Sequence, residues 1–340
     1  MKKIKFLLFC CLYTISYFAH AMDVGIGIHP QTFPKNPQDL VAILKNQGIS
    51  TFRTDYLWSQ VEKEKGVYSP VDQRIEETIQ LAKENNIRPL IIYGYGNKFY
   101  QDTSYNALEG KPSSEETIQH FLNYVKWSTN HLNNNVSMFE IWNEWIQKAG
   151  AGNRISALSN NSAKIYSTLV LQSCRAIKEI NPNAIVIAGS TDPLDEASNQ
   201  WLLKVINYGV LNCIDGISLH IYEFKPNQKL NYKPIILSLK KLQSKISYIN
   251  KGKTVPLYIT ETGVSNINNS LYSLEDTANY FTNYMQALSQ LNYVRGVWWY
   301  DLVNDGNDKN NGENNFGILN RDLSPKPIAL KFADTIKKYK

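Results

Sequence analysis

Short apolar runs rich in β-branched and aromatic residues recur along the chain and alternate with longer amphipathic stretches. Such runs predict β-strands, and eight of them occur, at residues 22–29, 51–55, 88–93, 137–143, 184–188, 216–222, 257–260 and 296–300. The stretches between them predict helices, at residues 72–85, 163–180, 235–249, 274–291 and 327–338. A further helix is predicted to begin at a capping box made by Ser113 and Glu116. Apolar residues follow this box with helical spacing, at Ile118, Phe121, Leu122 and Val125.

Strands that alternate with helices pair in parallel through βαβ units. Eight such units in a chain of 340 residues predict an α/β protein, a closed (β/α)8 TIM barrel that forms a single domain over residues 22–340. No GxGxxG motif follows the first strand, which disfavours a dinucleotide-binding fold. The longest irregular connections, at residues 145–162 and 304–316, follow the fourth and eighth predicted strands. Barrel enzymes carry their active-site loops at this end of the strands.

The first 21 residues have the organisation of a signal peptide. Lys2, Lys3 and Lys5 give a positive start, an apolar run follows at residues 6–18, and residues 19–21 (AHA) match the small-x-small cleavage rule. We therefore expect a secreted or periplasmic protein, with an uncleaved membrane anchor as the alternative. Once the segment is removed, we expect no stable insertion into a membrane.

Loss of this segment changes the charge and the cysteine count. Three lysines leave with it, so the formal charge falls from +6 to +3, which is too small to indicate nucleic acid as a partner. Two of the four cysteines remain, Cys174 and Cys213, and they can form either a disulfide or two buried free thiols. We expect a monomer.

The period-two alternation of strands predicts which side chains point into the barrel. The apolar face of each strand must cover the helices, so the opposite face lines the lumen. Polar groups at lumen positions are costly unless they are paired or lie near the open end. The lumen positions predicted in this way are Gly25, Gly27 and His29 in the first strand, Glu140, Trp142 and Glu144 in the fourth, and Ser218, His220 and Tyr222 in the sixth.

Two carboxylates end strands that lie far apart in the sequence. Glu144 follows an asparagine and is flanked by two tryptophans, a partly desolvated setting that suits a general acid. Glu261 ends the seventh predicted strand. Cleavage of a glycosidic bond needs two carboxyl groups on either side of it, and a retaining enzyme holds them ~5–5.5 Å apart. The alternatives are an idle, solvated Glu144 and a Glu261 that only pairs with a neighbouring arginine.

Residues 140–144 (EIWNE) and 260–263 (TETG) resemble the acid/base and nucleophile motifs of clan A of the glycoside hydrolases. The likeness is greatest to family 39 and to relatives that degrade bacterial exopolysaccharides. Other motifs of the family follow in the same order and cover nearly all of the chain after the signal peptide. They are Arg53 with residues 58–68, residues 93–97 (YGYGN), 315–319 (NFGIL) and 324–327 (SPKP). Ile146 stands where many relatives have a proline.

The resemblance implies a role for each matching residue. Glu144 becomes the acid/base, Glu261 the nucleophile, and Asn143 the group that holds the sugar 2-hydroxyl. Arg53 keeps Glu261 ionised, or alternatively neutralises Glu140. His220 and Tyr222 flank the cleavage subsite, and Trp299 is the platform on which a sugar stacks, with Trp298 as the competitor. Further substrate contacts are expected from His29, Trp58, Asn97 and Trp145, whereas Asp301 and Asp305 either contact substrate or cap a turn.

The function implied is retaining hydrolysis of β-glycosidic bonds in a polysaccharide or oligosaccharide, as in an endo-acting exopolysaccharide hydrolase. We expect no cofactor and no metal, because His29, His120, His131 and His220 show no ligand spacing. One alternative is a carbohydrate-binding barrel without catalysis, which the presence of both carboxylates and of Asn143 disfavours. The other is a transglycosylase, whose chemistry differs only in the last step.

Overall fold

The computed structural model describes residues 22–100, 110–133, 135–146, 154–222 and 226–339. The signal peptide predicted at residues 1–21 lies outside this part of the chain. Eight strands form one closed parallel barrel in sequential order, with β8 hydrogen-bonded to β1. The strands are β1 (Asp23–Gly27), β2 (Thr51–Leu57), β3 (Arg88–Gly94), β4 (Met138–Ile141), β5 (Ile185–Thr191), β6 (Gly216–Tyr222), β7 (Leu257–Gly263) and β8 (Val294–Trp299). The predicted single-domain (β/α)8 barrel is therefore confirmed.

Helices connect the strands and cover the outside of the barrel. The described part of the chain contains α1 (Pro37–Asn46), α2 (Trp58–Val61), α3 (Gln73–Glu84), α4 (Glu115–Leu132), α5 (Arg154–Ala157), α6 (Asn160–Ile180), α7 (Glu196–Asn207), α8 (Lys233–Ile249), α9 (Leu274–Leu288) and α10 (Pro327–Tyr339). Single turns of 3-10 helix lie at Lys98–Tyr100, Val210–Asn212 and Glu313–Asn315. Helices α1 and α7, which complete the βα repeat, were not predicted from the sequence, and neither were the short helices α2 and α5.

The capping box of α4 lies one residue later than predicted. The Ser114 hydroxyl accepts a hydrogen bond from the backbone N–H of Thr117 at 3.1 Å, and the Thr117 hydroxyl accepts one from the N–H of Ser114 at 3.0 Å. The box predicted at Ser113 and Glu116 is therefore wrong. A threonine hydroxyl performs here the role for which the motif usually uses a glutamate or glutamine.

Large side chains seal the lower end of the lumen. Trp298 and Tyr258 fill it together with three aliphatic residues, Leu90, Met138 and Ile187. Glycine is required at Gly296, because a Cβ there would lie 2.6 Å from the indole of Trp298. The lower lumen is thus packed and apolar, which leaves the polar lumen residues to the carboxyl ends of the strands.

The chain leaves β4 through a turn that breaks the strand alternation. Trp142 and Glu144 both adopt positive φ, 66° and 51°, which is uncommon for residues other than glycine. As a result the Trp142 ring packs against Phe121 of α4, with ring centroids 5.7 Å apart. Alternation predicted Trp142 in the lumen, and this prediction is wrong because the strand ends at Ile141. The turn directs Glu144 towards the open end of the barrel.

Cys174 of α6 and Cys213, which follows the 3-10 turn before β6, form a disulfide. Their Cα atoms lie 6.1 Å apart, and 39 positions separate them in the sequence. The bond decides between the two alternatives that the sequence left open. In the described ranges no helix is long and apolar enough to span a bilayer.

Candidate active site

A cleft of about 420 Å³ opens at the carboxyl ends of the strands. Its walls combine carboxylates with aromatic rings, a composition suited to a polar ligand that carries flat apolar faces. The residues that line it are His29, Arg53, Asp55, Ile92, Tyr95, Asn143, Glu144, Tyr222, Glu261, Tyr300, Glu313 and Phe316. Six of the residues predicted from the sequence, His29, Arg53, Asn143, Glu144, Tyr222 and Glu261, therefore lie in one cleft.

Arg53 of β2 joins the polar groups below the cleft. Its Nε donates to Glu140 at 2.7 Å, and one terminal nitrogen donates to Glu261 at 2.6 Å. The other terminal nitrogen donates to the side-chain amide oxygen of Asn143 at 2.9 Å and lies 3.4 Å from Nε2 of His220. Burial alone would lower the pKa of Arg53, but Glu140 and Glu261 raise it above its ordinary value. The planar guanidinium orients four side chains at once.

Glu140 is the fully buried partner in this network. Its second oxygen accepts hydrogen bonds from Ser190 at 2.8 Å and from Thr260 at 2.9 Å. Burial would raise the pKa of Glu140, but the nearby Arg53 and His220 lower it overall. The two roles considered for Arg53, pairing with Glu261 and neutralising Glu140, are therefore both met by one side chain.

Glu261 of β7 is held in its ionised form. Beside Arg53, the Tyr222 hydroxyl donates to it at 2.6 Å, and Nδ1 of His220 lies 3.5 Å from the same oxygen. Burial would raise the pKa of Glu261, but His220, Arg53 and the Tyr222 hydrogen bond lower it to about 2. A carboxylate that stays charged at neutral pH is suited to nucleophilic attack.

Glu144 faces Glu261 across His220. Nδ1 of His220 lies 3.0 Å from a Glu144 oxygen, and an oxygen of each carboxylate lies within 4.8 Å of the other. Since the terminal nitrogen of Arg53 can only donate, Nε2 of His220 is assigned as the acceptor and Nδ1 as the site of the proton. Burial lowers the pKa of His220, but Glu261 and Glu144 reverse the shift and raise it. The histidine thus links the two acids.

Trp299 does not reach the cleft. Its side chain is 1% exposed and packs edge-on against Phe281 of α9, with centroids 5.1 Å apart. The stacking platform predicted at this residue is therefore placed wrongly, because Trp299 points towards the helices. Trp298, the competitor, fills the lower lumen.

Tyr300 is the aromatic residue that follows β8 into the cleft. Its ring lies 5.4 Å from that of Phe316, 5.6 Å from His29 and 6.2 Å from Tyr222. Tyr300 was not predicted as a site residue from the sequence, although strict alternation from Trp298 places position 300 on the lumen side. The aromatic wall of the cleft is thus made of tyrosines and a phenylalanine.

Asn97 and Trp145 have structural positions. Asn97 is 2% exposed, and its amide donates to the backbone carbonyl of Glu62 at 2.8 Å. Trp145 is 1% exposed and donates to the Ser162 hydroxyl at 3.0 Å. Neither side chain lines the cleft, so the predicted substrate contacts are corrected to packing roles. Trp58, also proposed as a contact, is fully buried and stacks on Tyr100.

Three further polar residues of the cleft were not predicted as site residues from the sequence. Asp55 stands two positions after Arg53 on the same face of β2, so alternation predicts it. Tyr95 follows β3, and its hydroxyl accepts a hydrogen bond from the amide of Asn143. Glu313 belongs to a 3-10 turn in the loop after β8. No periodic pattern marks this last residue.

The barrel and its paired carboxylates at the ends of β4 and β7 are the features of a (β/α)8 glycoside hydrolase. Comparison with family models agrees, since the model of the cellulase family (glycosyl hydrolase family 5) matches residues 20–304. The chain belongs to this family. Family 5 is part of clan A, so the resemblance inferred from the motifs is confirmed. A search of curated proteins gives no match.

Solved structures share the fold. A family 39 glycoside hydrolase from the gut symbiont Bacteroides cellulosilyticus WH2 has a TM-score of 0.74 at 24% identity, over 93% of this chain and 64% of its own. The exo-β-1,4-mannosidase Op5Man5 from Opitutaceae bacterium strain TAV5 has a TM-score of 0.68 at 15% identity, over 93% of this chain and 59% of its own. A family 1 β-glucosidase from Thermotoga maritima has a TM-score of 0.69 at 12% identity, over 94% of this chain and 98% of its own. The chain thus spans less than two thirds of the first two proteins.

Proposed function

We propose that the protein hydrolyses β-glycosidic bonds with retention of configuration. The observation that carries the proposal is the approach of Glu144 and Glu261, whose nearest oxygens lie within 4.8 Å on either side of His220. This separation fits the ~5–5.5 Å of retaining enzymes better than the ~6.5–9.5 Å that leaves room for water in inverting ones. Membership of a glycosyl hydrolase family supports the same chemistry.

The reaction has two steps. Glu144 donates a proton to the glycosidic oxygen while Glu261 attacks the anomeric carbon, so the bond to the leaving sugar breaks and a glycosyl ester forms on Glu261. Glu144, now a carboxylate, takes a proton from water while the water oxygen attacks the anomeric carbon, so the bond to Glu261 breaks and Glu261 leaves as a carboxylate. His220 contacts both acids and keeps them in position for each proton transfer.

The surrounding residues prepare the two acids for unequal roles. Arg53 and Tyr222 each donate to Glu261, whereas neither donates to Glu144 in the described part of the chain. This asymmetry favours Glu261 as the charged nucleophile. Asn143, fixed by Arg53, is placed to bond the 2-hydroxyl of the sugar that reacts.

We further propose that the substrate is a β-linked glycan and that the protein cleaves it within the glycan chain. We also propose that the protein is exported. The similar structures include an exo-β-1,4-mannosidase, a β-glucosidase and a xylanase, which supports the β-linkage. The disulfide between Cys174 and Cys213 supports an oxidising compartment. Mass spectrometry of the protein recovered from its native host tests export, since cleavage after residue 21 leaves Met22 as the first residue.

Incubation with a panel of β-glycans tests the chemistry. The wild-type protein, Glu144→Gln and Glu261→Gln are compared, and Glu84→Gln at the far end of α3 is the matched control. We expect the first two variants to lose at least about 10³-fold in kcat/KM, the order of loss on removing a reacting group, while the control keeps the parent rate. Products seen by NMR in the first minutes are expected to have the β-configuration.

The outcomes separate the rival functions. Release of the α-anomer first would show inversion and refute the two-step mechanism. If the protein binds a glycan but shows no turnover that is lost in Glu261→Gln, it is a carbohydrate-binding barrel without catalysis. If added acceptor sugars capture most of the product, the protein is a transglycosylase. Large oligosaccharides as early products support cleavage within the chain, whereas a single small sugar contradicts it.

A further inference from the structure

A second group of ionisable side chains lies beside the cleft, at the junction of β1 and β8. His29 follows β1, while Asp301 and Asp305 belong to the loop after β8. One potential ligand atom from each residue lies within 4.8 Å of the other two. The separation between Nε2 of His29 and the nearer Asp301 oxygen is 3.9 Å. These atoms come from opposite ends of the chain and converge only in the folded barrel.

Two of these groups lack partners. The Asp301 side chain is 3% exposed, and its other oxygen has no hydrogen-bond partner within the described ranges. Nε2 of His29 is buried and is without a partner in the same part of the chain. Buried polar atoms are nearly always bonded, because an unpaired one costs ~1–3 kcal/mol or more when it is charged. The geometry therefore calls for a ligand between them.

Nearby cations do not fill this role. The Lys326 amine donates to the Asn304 side chain at 2.8 Å and to the Asn315 carbonyl at 3.0 Å. Arg321 donates to the Thr32 carbonyl at 2.7 Å. Neither makes an ion pair with Asp301 or Asp305 in the described part of the protein. Lys326 interacts electrostatically with Asp301, and Arg321 borders the same cavity, but within the described ranges neither carboxylate forms a direct ion pair with a lysine or an arginine.

The space between these residues suits a single small particle. A cavity of about 10 Å³ is lined by His29, Asp301, Asp305 and Arg321, together with Thr32 and apolar residues that follow β1 and β8 or belong to α1. Roughly 10–15 Å³ is enough for one particle of the size of water. The cavity is separate from the larger cleft, although His29 borders both.

We propose that His29, Asp301 and Asp305 bind one divalent transition-metal ion, such as Zn²⁺ or Mn²⁺. Bonds of ~2.0–2.2 Å place two ligand atoms at most about 4.4 Å apart, which accommodates the 3.9 Å between Nε2 of His29 and Asp301. Two carboxylates balance the charge of the ion. The imidazole favours these metals over Ca²⁺ and Mg²⁺, which prefer ligand sets made only of oxygen.

The ion would join the end of β1 to the loop after β8. Both ends carry cleft residues, His29 and Tyr300, so the metal would hold this aromatic wall in place. If the proposed function is correct, removal of the metal raises KM and leaves kcat nearly unchanged. Binding of the metal itself does not depend on that function.

Titration of the chelator-treated protein with Zn²⁺ and with Mn²⁺ tests the proposal, with Ca²⁺ as the comparison. Calorimetry and elemental analysis are expected to show one bound transition ion and a raised Tm. Asp305→Asn, an exposed position that should fold normally, is expected to weaken binding at least tenfold. Asp308→Asn removes the same charge from the same loop outside the cluster, and this control is expected to bind as the parent does.

A third variant addresses a competing location. Glu144, His220 and Glu261 also lie within 4.8 Å of one another, so Glu144→Gln must keep the bound ion if the proposal is correct. The proposal is refuted if neither transition ion binds at one equivalent, if Asp305→Asn and Asp308→Asn bind equally well, or if Glu144→Gln abolishes binding.

Discussion

Tyr222→Phe is the change that best isolates how the site controls the charge of Glu261. It removes one oxygen, the donor of a 2.6 Å hydrogen bond to that carboxylate, and retains the ring between Tyr300 and Phe316. Arg53 and His220 stay in contact with Glu261. Any change in the ionisation of Glu261 is therefore assigned to the lost hydrogen bond.

The expected magnitude follows from the strength of that bond. A hydrogen bond to a charged group contributes about 1.5–3 kcal/mol, which corresponds to roughly 1–2 pKa units. The pKa of Glu261, lowered from 4.5 to about 2 in the parent protein, should rise by this amount. Since the folded-state pKa lies below the unfolded value, the ionised group stabilises the fold above pH 4.5. This contribution to stability is lost as the pH falls towards 2, and the variant loses it at a higher pH than the parent protein does.

Carbon NMR of glutamate labelled at the side-chain carboxyl measures the pKa directly, with Glu261→Gln to assign the signal. The acidic limb of the kcat/KM profile is expected to move upward by the same amount. Tyr300→Phe is the control, because its hydroxyl makes no hydrogen bond to Glu261 in the described part of the chain. An unchanged Glu261 titration in Tyr222→Phe, or an equal shift in the control, would refute the reasoning.

Three further predictions test the packing around the site. Trp299→Ala should lower the free energy of unfolding by about 3–5 kcal/mol and leave KM unchanged, because the indole lies in the core. Tyr300→Ala should raise KM and lower the free energy of unfolding by less, as measured by denaturant titration. Reduction of the disulfide, or Cys174→Ala with Cys213→Ala, should cost roughly 4 kcal/mol from loop closure over 39 positions, seen as a lower urea midpoint. Gly296→Ala should cost about 1–3 kcal/mol in the same assay, because its Cβ would lie 2.6 Å from the Trp298 ring; an unchanged midpoint would show that the lower lumen can adapt.

Much of the fold could be predicted because each element carries its own local signal. The strands are short β-branched runs, and they recur often enough to determine a closed barrel. Alternation correctly predicted the lumen positions of β6, where Ser218, His220 and Tyr222 share one face. It failed after β4, where positive φ at Trp142 and Glu144 ends the period of two. A sequence pattern describes regular backbone, and it cannot show where a tight turn replaces it.

In the candidate site, too, the residues with a local sequence signal were predicted and the others were not. Glu144 and Glu261 could be predicted because the first follows β4 and the second lies near the end of β7, and strand ends converge at one rim of a barrel. Trp299 was misplaced by one position, because the family resemblance pointed to a tryptophan as the stacking platform, whereas alternation selects Tyr300. The cluster of His29, Asp301 and Asp305 left no spacing signal, because its members meet only when β8 closes against β1. Residues whose chemistry depends on barrel closure are therefore the ones that a linear pattern omits, and the metal titration tests whether this closure creates a binding site.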